Sequence, residues 1–161
     1  HTNDAGSSIT RLLDMGIEDY LLTSTLSGIL AQRLVRTLCP VCRTPYTPAP
    51  ALCAQLQQEL PVEDAGNVPR DNNGHTDALR LYRANGCEAC AHTGYRGRTV
   101  IGELLSLSDA LRGLVREGAD GKVIQQAAVR AGMNSMRTDG IRKALAGVTT
   151  VEEVTRVTQG K

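Results

Sequence analysis

Two Cys-x-x-Cys pairs constrain this chain more than any other feature. Cys39-Pro40-Val41-Cys42 and Cys87-Glu88-Ala89-Cys90 each set two sulfurs across a tight turn. Brought together, they supply four thiolates in the tetrahedral arrangement that zinc accepts, with Zn–S bonds of ~2.3 Å. A closed four-thiolate site leaves no position for water or substrate, so the expected metal is structural zinc. The 44 residues between Cys42 and Cys87 are mostly polar. A metal closing so long a loop stands in for apolar burial. Four cysteines also suit an iron–sulfur centre, and spacing alone leaves that alternative open. Independent buried thiols or a redox pair are the remaining readings, but a thioredoxin-like pair needs a βαβ pattern that is absent. Cys53 lies between Leu52 and Leu56 on a helix candidate and reads as a small core residue. His92 stands two residues after Cys90, close enough to compete as a ligand, and reads as a surface histidine. Five cysteines fit a disulfide framework badly, and no export signal is visible. A reducing compartment follows as the expectation.

Composition removes several function classes. The chain has 161 residues, four tyrosines, and neither Phe nor Trp, so it lacks the aromatic platforms on which single-stranded nucleic acid stacks. Eighteen Lys and Arg balance 17 Asp and Glu, which opposes phosphate-backbone binding; no nucleic-acid partner is expected. No run of 18 apolar residues suggests a membrane span. Gly118-Ala119-Asp120-Gly121-Lys122 has a Gly-Lys pair without the spacing of a phosphate-binding loop, and reads as a helix connection. No G-x-S-x-G or H-E-x-x-H occurs.

The residue pattern predicts an α/β chain, mostly helical, with a metal-stapled insertion. Ser7 and Ser8 are placed to cap a short helix carrying Ile9, Leu12 and Leu13, which Gly16 ends. Leu22, Leu26, Ile29, Leu30 and Leu34 recur at three- and four-residue steps, predicting a helix over Glu18–Arg36. Residues 38–50 hold four prolines and read as irregular. A helix follows over Ala51–Leu60, then a loop-like, mobile stretch over Pro61–Asp77, then a short strand over Leu79–Tyr82. Thr99–Leu105 reads as a strand. Helices are expected over Asp109–Glu117, Lys122–Ala131 and Met136–Ala146, with Gly118, Gly132 and Gly147 just beyond their ends. Thr150-Val151-Glu152-Glu153 is a capping box opening a last short helix.

Three stretches together resemble one family. They are His1–Ala5 with Ile9–Ile17; Leu30–Arg36 leading into the first cysteine pair; and Gly86–Arg98 with Ile101–Leu105. The chain resembles the C-terminal part of the secretion ATPases of the type II secretion and type IV pilus assembly family, on its type II secretion branch. The resemblance covers nearly the whole chain and is weakest over residues 48–80. It implies the C-terminal part of a P-loop (RecA-like) ATPase domain with an inserted tetracysteine zinc-binding subdomain. The implied division is 1–37 for the end of the ATPase core, 38–98 for the zinc subdomain and 99–161 for a C-terminal strand and helices. It further implies a cytoplasmic homohexamer peripheral to the inner membrane. Such a motor uses ATP and Mg outside this segment, and reaches the membrane through platform proteins. His1-Thr2-Asn3 matches the end of the family's histidine box, which makes His1 a candidate sensor of the nucleotide γ-phosphate. The family's zinc ligands map onto Cys39, Cys42, Cys87 and Cys90. Arg96 and Arg98 are candidates for phosphate or carboxylate contacts across a subunit boundary, or else solvated surface residues. The corresponding fragment of a type IV pilus assembly ATPase, a freestanding zinc-binding interaction module and a zinc-ribbon nucleic-acid binder are the competing readings. On either zinc reading, Cys42→Ser is expected to unfold the insertion while leaving much of the helical remainder in place.

Overall fold

The computed structural model describes residues 3–61 and 79–159. The described elements are α1 (Ala5–Asp14), α2 (Asp19–Thr25), β1 (Gly28–Leu38), β2 (Arg43–Tyr46), α3 (Pro50–Glu59) and β3 (Leu81–Ala84). A 3₁₀ turn (Glu88–Cys90) follows, then β4 (Tyr95–Ser106), α4 (Asp109–Arg116), α5 (Gly121–Arg130), α6 (Met136–Leu145) and α7 (Val151–Thr158). The chain is thus mixed helix and strand, with helix predominating. Strand β1 pairs with β4, and β2 pairs antiparallel with β3 in the register Arg43 to Ala84 and Tyr46 to Leu81. Residue His1 and most of the loop expected over Pro61–Asp77 lie outside the described residues. By packing, the described residues form two compact units. One draws on residues 3–33 and Ile101–Met136, the other on residues 34–61, 79–100 and Arg137–Gln159.

The helix expected over Glu18–Arg36 is corrected. Only Asp19–Thr25 is helical, and Gly28–Leu38 is a strand. The leucines do recur every four residues, but the same segment also alternates. Ile29 and Ala31 pack on the core while Leu30 is 66% exposed and Leu34 53% exposed. Alternation is the strand period. Pairing with β4 selects it, an interaction no local pattern displays. The β4 strand is also longer than the Thr99–Leu105 expected. The α1 cap is corrected as well: Asp4, not Ser7 or Ser8, is the cap, and its carboxylate accepts the Ser7 amide at 2.7 Å. The later helices fall within a residue or two of expectation. Thr150 caps α7 through the Glu153 amide, and Gly118, Gly132 and Gly147 adopt positive φ.

In the first unit, Ala5, Ile9, Leu105, Leu111, Val115, Ile124 and Ala128 form the apolar core. Helices α1 and α5 approach very closely at Gly6 and Gly121. A Cβ on Gly6 would lie 2.3 Å from the Gly121 carbonyl, so only glycine fits. Glu103 is buried in this core at 4% exposure. Its Oε1 accepts the Ala5 amide at 2.7 Å and the Gln125 side-chain amide at 3.0 Å; its Oε2 accepts the Met136 amide at 2.9 Å. Ala5 and Met136 open helices, where unpaired amides and the helix dipole favour a carboxylate.

In the second unit, Leu56, Leu60, Leu79, Leu81, Ile141, Ala144 and Val151 form a separate, smaller core. Arg137 reaches Glu59 at 2.6 Å and the Thr155 hydroxyl at 3.3 Å. Arg83 lies 4.3 Å from the Tyr46 ring centroid, and Arg43 stands over the Tyr82 ring.

Glu103 should therefore be costly to alter. Glu103→Gln turns one acceptor oxygen into a donor that faces backbone N–H groups, and we expect a loss of about 2 kcal/mol. Urea unfolding of the two proteins measures it.

Candidate metal centre

Each cysteine pair is positioned by the element beside it. Cys39 follows the last residue of β1, and Cys42 precedes the first residue of β2. Within this knuckle the Arg43 amide donates to the Cys39 carbonyl at 3.0 Å. Cys87 and Cys90 bracket the 3₁₀ turn, which Ala91 and His92 leave with φ of 50° and 60°. Such left-handed backbone is uncommon for residues with a Cβ. It is held here by the His92 amide donating to the Cys87 carbonyl at 2.8 Å. Gly94 also has positive φ, and a Cβ there would meet Ala84 of β3 at 2.6 Å. The two knuckles are then joined by the Cys39 amide, which donates to the Gly94 carbonyl at 2.9 Å.

This framework converges the sulfurs of Cys39, Cys42, Cys87 and Cys90 to within 4.8 Å of one another. Cys39 to Cys87 is 3.9 Å, Cys42 to Cys90 is 3.8 Å and Cys87 to Cys90 is 3.8 Å. A tetrahedron of ~2.3 Å metal–sulfur bonds has edges of ~3.8 Å. The quartet therefore has the dimensions of a single-ion site. An iron–sulfur cluster places several irons and sulfides between its cysteines and needs a wider set, so the geometry disfavours that alternative. The spacings are also far beyond a ~2.05 Å disulfide bond.

Electrostatics point the same way. Burial would raise the Cys90 thiol pKa, but the Cys87 and Gly94 amides each donate to its sulfur at 3.2 Å, and the thiol is held down to about 6. Cys42 is pushed up to about 12, by burial first and then by the neighbouring sulfurs, against a lowering contribution from the Gly86 amide. The Cys90 sulfur is prepared to carry charge, and the Cys42 sulfur resists adding more beside it. Full ionisation of such a quartet needs a cation at its centre. The four residues are thus positioned to bind a metal ion, and their chemistry suits zinc.

Cys53 stands apart from the quartet. It lies on α3, packs beside the second core and points its sulfur at the Pro48 carbonyl, 3.6 Å away. His92 is exposed and outside the quartet. Arg96 and Arg98 are exposed on β4.

The residues that sequence reading missed are joined to the strand that carries Cys39. Arg36, three residues before Cys39, lies 4.0 Å from the Tyr95 ring centroid. Its guanidinium donates to Glu153 at 2.6 Å, and its amide donates to the same carboxylate at 3.1 Å. Arg156 adds bonds of 2.9 and 3.0 Å. Glu153 is 2% exposed. Burial would raise its pKa, yet the hydrogen bonds from Arg156 and Arg36 outweigh burial and hold it down to about 2. The only local hint of this site was an acidic residue at the third position of a capping box.

The chain matches the family model described as Type II/IV secretion system protein over residues 1–156. It belongs to that family. Among relatives, it is 46% identical to Type II secretion system ATPase E of Vibrio cholerae over 159 residues, covering 99% of this chain and 28% of the relative. It is 45% identical to Type IV pilus assembly ATPase PilB of Myxococcus xanthus over 154 residues, covering 96% of this chain and 25% of the relative. It is also 46% identical to Type II secretion system protein E of Pseudomonas aeruginosa, with 99% and 28% covered. The chain therefore spans about a quarter of the length of these secretion-system relatives. Among its described residues, no helix is long and apolar enough to cross a membrane.

The Glu153 cluster yields a signed pH dependence. A glutamate near ~4.3 when unfolded and near 2 when folded stabilises fully above its unfolded value. That contribution is lost as pH falls through the interval between the two. Both guanidiniums are about half exposed, so Glu153→Gln should cost about 2 kcal/mol at pH 6, below the ~3–5 of a fully buried pair. The difference between wild type and variant should shrink steadily from pH 5 to pH ~2 in urea unfolding series.

Proposed function

We propose that this chain is the zinc-binding and helical C-terminal region of an ATPase that powers type II protein secretion by driving pseudopilus assembly. The observation that carries the reading is a four-sulfur site of single-ion dimensions in a member of the Type II/IV secretion system protein family. In this reading, residues 1–37 finish a P-loop (RecA-like) ATPase core, 38–98 form the zinc-binding subdomain, and 99–161 form a C-terminal strand and helical region. Cys39, Cys42, Cys87 and Cys90 hold one zinc ion, which closes the loop and takes no part in chemistry. ATP and Mg act elsewhere in the intact protein, with His1 facing the γ-phosphate. The motor works as a homohexamer on the cytoplasmic face of the inner membrane and engages platform proteins there. The relative named as a type IV pilus assembly ATPase supports a second reading, the corresponding region of a pilus motor.

Elemental analysis tests the site. One zinc per chain is expected for the wild type, and none retained after dialysis for Cys42→Ser, since three thiolates leave the tetrahedron open. A wild-type chain without metal contradicts the reading.

The 161 residues contain no G-x-x-x-x-G-K-[ST]. The chain alone is expected to hydrolyse no ATP above background in a phosphate-release assay. Turnover by this chain would place the chemistry in residues to which the reading gives no catalytic part.

A further inference from the structure

The knuckles do not end at the sulfurs. The strands that deliver them also grip the turn between α6 and α7. Leu38, adjacent to Cys39, donates its amide to the Val148 carbonyl at 2.8 Å. Two residues earlier, the Arg36 carbonyl accepts the Thr149 hydroxyl at 2.8 Å. Arg43, adjacent to Cys42, donates its guanidinium to the Gly147 carbonyl. On the side of the second knuckle, Gly94 donates to the Cys90 sulfur, and Tyr95 beside it shares a 3.1 Å hydrogen bond with the Thr150 hydroxyl. Four consecutive residues, Gly147 to Thr150, are thus each bonded to a residue within three positions of a ligand cysteine or, for Tyr95, directly following the amide that supports one.

Two of the four turn residues hold their hydroxyls out of water. Thr149 is 0% exposed and Thr150 is 4% exposed. A buried hydroxyl or amide that loses its partner bears the full desolvation cost. Thr150 is also the N-cap of α7, so whatever displaces it also uncaps that helix. Helix α7 has eight residues, too short to persist in water without its cap and packing.

We propose that metal occupancy of the cysteine quartet controls the order of the α6–α7 turn and of α7. The centre is a latch for the C-terminal helix as well as a staple for its own loop. With the ion bound, the ends of β1, β2 and β4 are fixed, and residues 147–150 dock on them. With the ion removed, the four sulfurs lose their common partner and loop entropy spreads the knuckles. The docking partners then move apart and α7 loses its cap. The helical remainder does not respond as one body: α7 follows the metal, while α1, α4 and α5, which share the other core, keep their protection.

The inference rests on the proposed zinc site, and the test separates the two. Hydrogen exchange is followed by mass spectrometry on the zinc-loaded chain, before and after a chelator, with zinc counted by elemental analysis. The expected result is exchange at least about tenfold faster over residues 147–158 as well as over 39–46 and 87–95, with α1, α4 and α5 unchanged. Faster exchange confined to the knuckles overturns the latch and leaves the zinc site standing. Loss of protection throughout the chain also overturns it, because the ion would then hold the whole fold. A chain that binds no zinc overturns both. The double variant Tyr95→Phe, Thr149→Val removes two of the four bonds and no ligand. It should keep one zinc per chain, yet exchange over 151–158 in its zinc-loaded state at the rate of the chelated wild type. If α7 in that variant still gains protection from zinc as the wild type does, the proposed route is wrong.

Discussion

Four sulfurs held within 4.8 Å of one another are an unstable arrangement for anions and a favourable one for a cation. The second packing unit depends on how that tension is resolved. Its antiparallel ladder is four residues long on each strand, too short to stand alone. Its apolar core is built from aliphatic side chains of modest size. The amide donations that shape the second knuckle run to a sulfur, so the backbone conformation there is coupled to the charge on that sulfur. Left-handed Ala91 and His92 are the conformational cost of aiming two sulfurs at one point.

Among the described residues each packing unit also buries one glutamate, and the two are satisfied differently. Glu103 is met by amides: two helix-opening backbone N–H groups and one glutamine. Those donors are fixed by helix geometry, so the carboxylate ties the Ala5 and Met136 amides together. Glu153 is met by two arginines whose outer faces are wet, and by a backbone amide from β1. The first arrangement is a rigid junction. The second joins a strand to a helix through long side chains, one of them steadied on an aromatic ring.

What the sequence disclosed follows the range of the interactions involved. The cysteine quartet was legible because each knuckle is a local turn with fixed ligand spacing. The helices after residue 108 were legible because caps and terminal glycines act within a few residues, as at Thr150 with Glu153 and at Gly118. The strand nature of β1 was not, because Leu22, Leu26, Leu30 and Leu34 satisfy the helical period and only pairing with β4 contradicts it. The buried roles of Glu103 and Glu153 were not legible either. Each has a partner far away in sequence, 98 residues at Ala5 and 117 residues at Arg36. In retrospect Ile101, Glu103 and Leu105 share one face of a strand, and an acid between two core aliphatics on that face is a signal for a satisfied buried carboxylate.

Order around the knuckles can come from a metal or from packing. A buried aliphatic side chain contributes ~1.5–3 kcal/mol, against ~1–2 kcal/mol of backbone entropy for every residue fixed. Among the described residues between Leu38 and Tyr95, the buried apolar side chains sit on and just after α3, around Leu79 and β3, and at the cysteines themselves. The knuckle loops bring almost none: Pro40, Val41, Glu88, Ala89, Ala91 and His92 are all exposed. Their order cannot come from a core they do not join. A structural zinc ion in a four-thiolate site, at roughly 10–16 kcal/mol of apparent binding energy, exceeds what such loops require. That surplus is available to neighbouring elements only through contacts the knuckles make. The contacts they make most directly are with the turn ahead of α7.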